Sequence, residues 1–249
     1  MSKVRHKKPA VKAKAKKKVA KKVATLAKPK KKLTKAEQAA LEIAKREKIF
    51  KAASPAQKRV LIAKDVIAQI KAKKLKPAHG TFVTFDKVAG LNMTPTDPYS
   101  EPTREDVSYH LGADKDAREL YLENKIQRCS CCALGSLFVS CTLYNDNTTA
   151  DEFTFAGEEI SDWLTSGGKA ERMSNGLDKF FSIQQLQLIE QTFETDNGVV
   201  QSHDEDEFGK AYPKFSKASE AFCNKYTTAE SRLIAIMKNI VANDGTFKP

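Results

Sequence analysis

A block of positive charge at the amino terminus determines which part of this chain is able to fold. Residues 1–32 contain fifteen Lys or Arg and no Asp or Glu, and most of the segment is Lys, Ala, Val and Pro. A segment of this composition buries too little apolar surface to offset the entropy that it loses on ordering. We therefore predict a disordered Lys-rich tail over 1–33, followed by a globular domain over 34–249.

The rest of the chain has the composition of an ordinary globular domain. The net charge is +12 over 249 residues, but the residues after 32 contain more acidic than basic side chains and sum to −3. No apolar run approaches the roughly twenty residues of a transmembrane helix, and no apolar segment follows the basic start as in a secretory signal. The five cysteines are odd in number and mostly clustered, so we expect free thiols and a cytoplasmic setting.

Helix-start signatures recur along the folded part. A capping box places Ser or Thr three residues before Glu or Gln, and the two side chains satisfy each other's backbone N–H groups. We predict helix starts at four such pairs, namely Thr34 and Glu37, Ser54 and Gln57, Ser182 and Gln185, and Thr227 and Glu230. The last pair precedes an apolar stripe at helical spacing, made of Leu233, Ile236, Met237, Ile240 and Val241. Asn243 and Gly245 follow where a helix stop is expected.

These patterns predict the fold class: mainly α, a single helical domain with one small β element, preceded by the disordered basic tail. The β element is "GTFVTF" at 80–85, a short run of β-branched and aromatic residues. The first helix, within 34–54, has a thin apolar face, so we expect an exposed linking helix there.

Four cysteines lie together in "RCSCCALGSLFVSC" at 128–141, namely Cys129, Cys131, Cys132 and Cys141. The segment from 132 to 144 is apolar on nearly all sides, which predicts a buried helix. Free cysteine is among the most buried residue types, so the favoured interpretation is packing. In that interpretation Gly135 allows another helix to approach closely.

Two chemical hypotheses remain for the same stretch. A structural zinc site needs four Cys or His ligands, and Cys129 with Cys132 supplies only one C-x-x-C pair. The remaining ligands would have to come from distant segments, from among Cys141, His110, His203 and Cys223. Alternatively, Cys132 near a helix N-terminus is a nucleophile, with His110 as its base, but no oxyanion sequence stands beside it. We therefore assign no catalytic residue, no metal ligand and no cofactor, and expect no stoichiometric zinc and a slowly alkylated Cys132.

Two segments together resemble a family of uncharacterised phage and bacterial proteins. They are "CALGSLF" at 132–138 and "RLIAIMKNIVANDGTFKP" at 232–249. In that family a Cys-Ala-Leu-Gly helix start is followed by a closing Ile-Met-x-Asn-Ile-x-x-Asn-x-Gly-Thr-Phe-x-Pro element. The resemblance covers much of 55–249 and implies a phage or bacterial source, hence the host cytoplasm or nucleoid, but no assigned activity. The basic tail resembles those of linker histones in composition only.

The tail charge predicts a partner. Polycations bind nucleic acid by releasing counterions from phosphates, and lysine, a flexible point charge, reads little sequence. The tail has no aromatic residue to stack on bases, which disfavours a single-strand platform. We therefore predict a non-enzymatic protein that binds DNA or RNA without sequence preference. The binding residues would be Lys7, Lys8, Lys12, Lys14, Lys16, Lys17, Lys18, Lys21, Lys22, Lys28, Lys30, Lys31 and Lys32.

Three alternatives stay open. In the first, the tail is only solubilising, or it binds an acidic protein or an anionic membrane surface. In the second, the domain is an enzyme or a small-molecule-binding protein with a site near Cys132. In the third, the protein is an interaction factor for a protein partner, and the tail localises it.

Overall fold

A computed structural model describes residues 33–93, 102–144, 148–155, 176–195 and 217–249. The chain divides into two units, Met1–Thr34 and Lys35–Pro249, and every element given below belongs to the second. The tail lysines named above, and His203, lie outside the described residues. None of the helices in the described ranges is long and apolar enough to cross a membrane.

The described part is mainly helical with one small sheet, as predicted. In chain order its elements are α1 (Lys35–Ala52), α2 (Pro55–Lys71), β1 (Leu75–Pro77), β2 (Val83–Val88), α3 (Arg104–Leu111), α4 (Ala117–Leu122), β3 (Ile126–Cys131), α5 (Ala133–Thr142), α6 (Ile183–Glu194), α7 (Lys217–Lys225) and α8 (Ala229–Ala242). Residues 150–155 are also helical, and Leu177–Lys179 form a 3₁₀ turn.

The sheet has three strands in the order β1–β3–β2. Strand β3 pairs in parallel with β1 and antiparallel with β2, so Cys129 lies between Leu75 and Phe85. The predicted β element is therefore real, although it begins at Val83 rather than at residue 80 and extends to Val88. Strand β3 also places Cys129 and Cys131 on the sheet, so only part of the cysteine cluster belongs to the helix.

The capping predictions have different outcomes. At Ser54 and Gln57 the reciprocal box is present. At Ser182 the hydroxyl accepts the Gln185 N–H, but the Gln185 side chain instead bonds the backbone of Phe247, at 2.7 Å from its nitrogen. The Gln185 side chain therefore links α6 to the segment after α8.

The prediction of a box at Thr227 and Glu230 is wrong by one residue. The cap is Thr228, and its reciprocal partner is Ser231. Tyr226 still donates its N–H to the carbonyl oxygen of Phe222 at the end of α7. Thr227 therefore lies in the connection between α7 and α8 and is not the cap.

Helix α1 is more firmly attached than the prediction of an exposed linking helix suggested. Leu41 is 59% exposed, but Phe50 is buried. Two ion pairs of 2.8 Å attach α1 to the domain, from Arg46 to Asp65 on α2 and from Glu47 to Arg118 on α4. Helix α1 is therefore a peripheral part of the domain.

Helix α5 occupies the centre of the core. Every one of its residues is buried, as the apolar sequence predicted, and it packs against α2, α6 and the sheet. Helix α8 packs against α2 and α6 through Leu233, Ile236, Met237 and Ile240, whereas Val241 of the predicted stripe is only partly buried.

Gly135 in α5 does permit a close approach, but not of a helix as predicted. A Cβ atom at this position would overlap the backbone of Phe82, just before β2. The sheet edge lies against the first turn of α5 because β3 runs directly into that helix. This contact brings the segment from 79 to 82 beside the start of α5.

A buried thiol and carboxyl cluster

Cys132 is the single residue that connects β3 to α5. It is the N-cap of α5 with an extended backbone, and its Sγ accepts the N–H of Gly135 at 3.4 Å. Its own N–H donates to the carbonyl oxygen of Thr81. Both bonds hold the thiol at the first turn of α5, beside the segment that precedes β2.

Two carboxyl groups from α6 meet this thiol. Glu190 and Glu194 are four residues apart, so they lie on the same face of the helix. The Sγ of Cys132 and one carboxyl oxygen of each glutamate all lie within 4.8 Å of one another. Among the residues that the structure describes, this is the one group of three or more acidic, Cys or His side chains with such a spacing.

Glu190 is held in an unusual electrostatic environment. Burial and the nearby charge of Glu194 raise the pKa of Glu190 to about 8, although the Cys132 thiol and the Leu134 N–H approach its carboxyl and oppose the shift. Its Oε2 atom is buried and has no hydrogen-bond partner. A metal-free Glu190 therefore holds its proton more tightly than an ordinary glutamate does.

Glu194 lies at the outer side of the cluster. Its Oε2 accepts the N–H of Gly80 at 2.8 Å and lies 3.5 Å from Nδ1 of His79, whose ring stacks on Phe193. Burial raises the pKa of Glu194, and the Gly80 N–H and His79 oppose that shift. Its second oxygen, Oε1, is buried and has no hydrogen-bond partner.

The Cys132 thiol is not activated as a nucleophile. The residue is 2% exposed, and burial, followed by the charge of Glu190, raises the pKa of the thiol well above its usual value against the opposing Gly135 N–H. His110, the base proposed from sequence, has Nε2 2.9 Å from the carbonyl oxygen of Ala89. The hydrogen bond of His110 therefore goes to the loop after β2 and not to Cys132.

The zinc ligands considered from sequence do not converge in the described part of the chain. Cys129 is on β3, and its buried thiol is outside the cluster. Cys141 is near the end of α5, and Cys223 on α7 donates its thiol hydrogen to the carbonyl oxygen of Thr192 at 3.1 Å. All five cysteines are free and buried.

A buried arginine fixes the end of α6 on which Glu194 lies. Arg232 of α8 is 1% exposed and donates to the carbonyl oxygens of Phe193, at 2.8 Å, and of Thr195. Its Nε donates to the carbonyl oxygen of Tyr226 at 2.8 Å. A cation at a helix C-terminus satisfies carbonyls that lack a helical partner. Arg232 therefore holds the last turn of α6, and with it Glu194, in place.

Sequence reasoning missed His79, Glu190 and Glu194. The two glutamates did leave a signal, because they continue at four-residue spacing from buried Leu186, and Ile189 and Phe193 of the same helix are buried too. A carboxyl on the core face of an amphipathic helix indicates a functional or paired group. His79 left no comparable signal, since only the fold brings it to α6.

Searches of protein-family models, curated proteins and solved structures found no match to this chain. The function must therefore be argued from the charge distribution and from the cluster itself.

Proposed function

We propose that this protein binds nucleic acid without sequence preference through its Lys-rich tail. The observation that carries the proposal is charge segregation: fifteen basic and no acidic residues in 1–32, against a net −3 for the rest of the chain. A body with a small negative charge does not itself attract a polyanion, so the tail would supply the affinity.

The expected binding mode follows from the type of side chain. Each phosphate neutralised on a duplex contributes about −0.9 to the slope of log affinity against log salt. Engagement of half of the fifteen cations gives a slope of about −7, so affinity would fall steeply with salt. Because lysine offers no planar fork to a base edge, different duplex sequences would bind almost equally.

The setting is part of the same proposal. A phage or bacterial origin is supported by the resemblance of 132–138 and 232–249 to the family described above. A protein of that origin with a nucleic-acid-binding tail would act in the bacterial cytoplasm or at the nucleoid.

A matched pair of variants tests the proposal. The tail variant replaces four lysines by Gln, and so does the control, in which the four lysines are exposed on the folded domain. The tail positions are Lys16, Lys17, Lys18 and Lys21, and the control positions are Lys48, Lys71, Lys76 and Lys87. Affinity for two duplexes of unrelated sequence is measured over a salt series.

We expect the tail variant to weaken binding to both duplexes equally and to make the salt slope shallower by up to about 3.6, at roughly 0.9 per lost contact. The control variant should bind like the wild type. Equal losses in the two variants would assign binding to net charge or to the folded domain. An unaffected tail variant would reject the proposal.

A further inference from the structure

We propose that Cys132, Glu190 and Glu194 form a binding site for a single zinc-like divalent cation, with His79 supporting Glu194 from outside. This inference is independent of nucleic-acid binding, because all four residues are on the folded domain. The sequence-based expectation of no stoichiometric zinc counted only Cys and His ligands, and therefore omitted both carboxylates.

The kinds of ligand select the class of cation. A thiolate and two carboxylates are a mixed sulfur and oxygen set, which suits borderline ions such as Zn²⁺. Mg²⁺ and Ca²⁺ prefer oxygen ligands alone and would gain nothing from Cys132. Three protein ligands leave the fourth tetrahedral position to water, as in zinc sites that are not closed by protein on all sides.

The unsatisfied oxygens are a second and independent observation. Oε2 of Glu190 and Oε1 of Glu194 are both buried without a hydrogen-bond partner. Buried polar atoms in folded proteins almost always have a partner, and exceptions indicate an ion, a water or a function. One cation placed among the three converging side chains would give these carboxyl groups a partner and would also offset the cost of burying two neighbouring acidic groups.

The supporting contacts restrain the ligands before any ion arrives. Gly135 donates its N–H to the Cys132 thiol, and Gly80 donates its N–H to Oε2 of Glu194, which leaves Oε1 of that carboxyl for the cation. His79 lies 3.5 Å from the same Oε2 atom, in the position of an outer-shell partner that orients a ligating carboxylate. The site thus has three ligand side chains, and two of them are restrained by contacts with neighbouring groups.

The cluster lies where the core meets the surface. His79 is exposed, and Glu190 and Glu194 are partly buried as whole residues, whereas Cys132 is fully buried. The ligands therefore lie at the edge of the core, with the deepest ligand at the start of α5.

The test uses the reduced, metal-stripped full chain, titrated with Zn²⁺ by calorimetry and with Co²⁺ by absorption spectroscopy. We expect one equivalent of either ion to bind, and we expect bound Co²⁺ to show the intense near-ultraviolet absorption of a cobalt–thiolate bond. Mg²⁺ in excess should not displace Zn²⁺.

Two ligand variants and one matched control complete the test. Cys132→Ser should abolish the cobalt–thiolate absorption, and Glu190→Gln, which is nearly isosteric, should lower Zn²⁺ affinity at least about tenfold. Cys223→Ser is the control, because a serine hydroxyl can still donate to the Thr192 carbonyl, and it should bind as the wild type does. Circular dichroism establishes whether each variant is folded. If Cys132→Ser does not fold, the Zn²⁺ affinity of Glu190→Gln alone decides the test.

The opposite results would overturn the proposal. These are a wild type that binds Zn²⁺ no more tightly than Glu190→Gln, or bound Co²⁺ without thiolate absorption. The first result would leave the two carboxyls as a buried pair without a metal, and the second would place the ion away from Cys132.

Discussion

A Cβ atom placed on Gly135 would lie 1.6 Å from the carbonyl oxygen of Phe82 and 2.6 Å from its carbonyl carbon. Because the obstacle is backbone, no rotation of a side chain relieves the overlap. The contact sets the distance between the first turn of α5 and the segment that carries His79 and Gly80. Gly135 thereby controls the position of the two groups that contact Oε2 of Glu194.

Gly135→Ala should consequently destabilise the domain by at least about 2 kcal/mol, as overpacking in cores does. Gly80→Ala is the comparison, because its positive φ strains alanine but nothing lies within 4 Å of the new methyl. We expect a loss of about 1 kcal/mol there. Chemical denaturation measures both, and equal losses would show that the Phe82 backbone yields easily.

Ile236 tests the contribution of α8 to the core. Ile236 is fully buried, and Ile236→Ala should lower the free energy of unfolding by about 2–5 kcal/mol. Ile49→Ala removes the same atoms from a side chain that is 45% exposed on α1, and it should cost no more than about 0.5 kcal/mol. A loss below about 0.5 kcal/mol at Ile236 would contradict the packing of α8.

Arg232 is expected to be structurally essential although it forms no ion pair in the described contacts. Arg232→Met would leave the Phe193 and Thr195 carbonyls without their donor, at a cost of at least about 2 kcal/mol, since each buried unsatisfied group costs about 1–3. Arg128→Met is the control. Its guanidinium is half exposed beside Asp86, and such pairs contribute about 0–1 kcal/mol. Denaturation curves with similar midpoints for the two variants would refute this prediction.

The pH dependence of stability should report on Glu190. Its pKa is about 8 in the folded protein against 4.5 as the ordinary value, so the folded state holds the proton more tightly than the unfolded chain. The associated stability is complete below pH 4.5 and is lost as pH rises towards about 8. In metal-free buffer, Glu190→Gln should flatten this decline, while Glu230→Gln, on the exposed side of α8, should not. An unchanged decline of stability with pH in Glu190→Gln would exclude Glu190 as the source of that decline.

Thiol reactivity gives a separate measure of the cysteine cluster. All five thiols are buried, and burial raises the pKa of Cys132 well above its usual value, so every thiol should alkylate slowly in the native protein and rapidly in denaturant. A timed titration followed by peptide mapping assigns each rate. One thiol that reacts fast in the native state and maps to Cys132 would restore the nucleophile hypothesis.

Local signals allowed much of the fold to be predicted. Ser54 and Gln57 determine the start of α2 by contacts within four residues, and they were identified correctly. The register of α8 was missed by one residue because Thr227 and Thr228 are equally suited to capping, and only the end of α7 distinguishes them. Strands β1 and β3 were missed because β1 has three residues and β3 is hidden in the cysteine cluster.

The candidate site could not be predicted to the same extent. Cys132 was singled out by its position before an apolar helix, and it does lie in the cluster. Its partners come from α6, more than fifty residues further along, and from the loop at His79, more than fifty residues before it. No pattern in the sequence specifies which carboxyl meets which thiol, because the packing of α5 against α6 decides it.

Helix α5 has no exposed side, so its ten residues are together enclosed by the sheet, α2 and α6. Positions enclosed on all sides accept few replacements, whereas the largely exposed α1 accepts many. As related chains diverge, α5 should therefore change most slowly and the charged surface of α1 much faster. Distant relatives would then be recognised by the segment that follows Cys132, even where the rest of their sequence has become unlike this one.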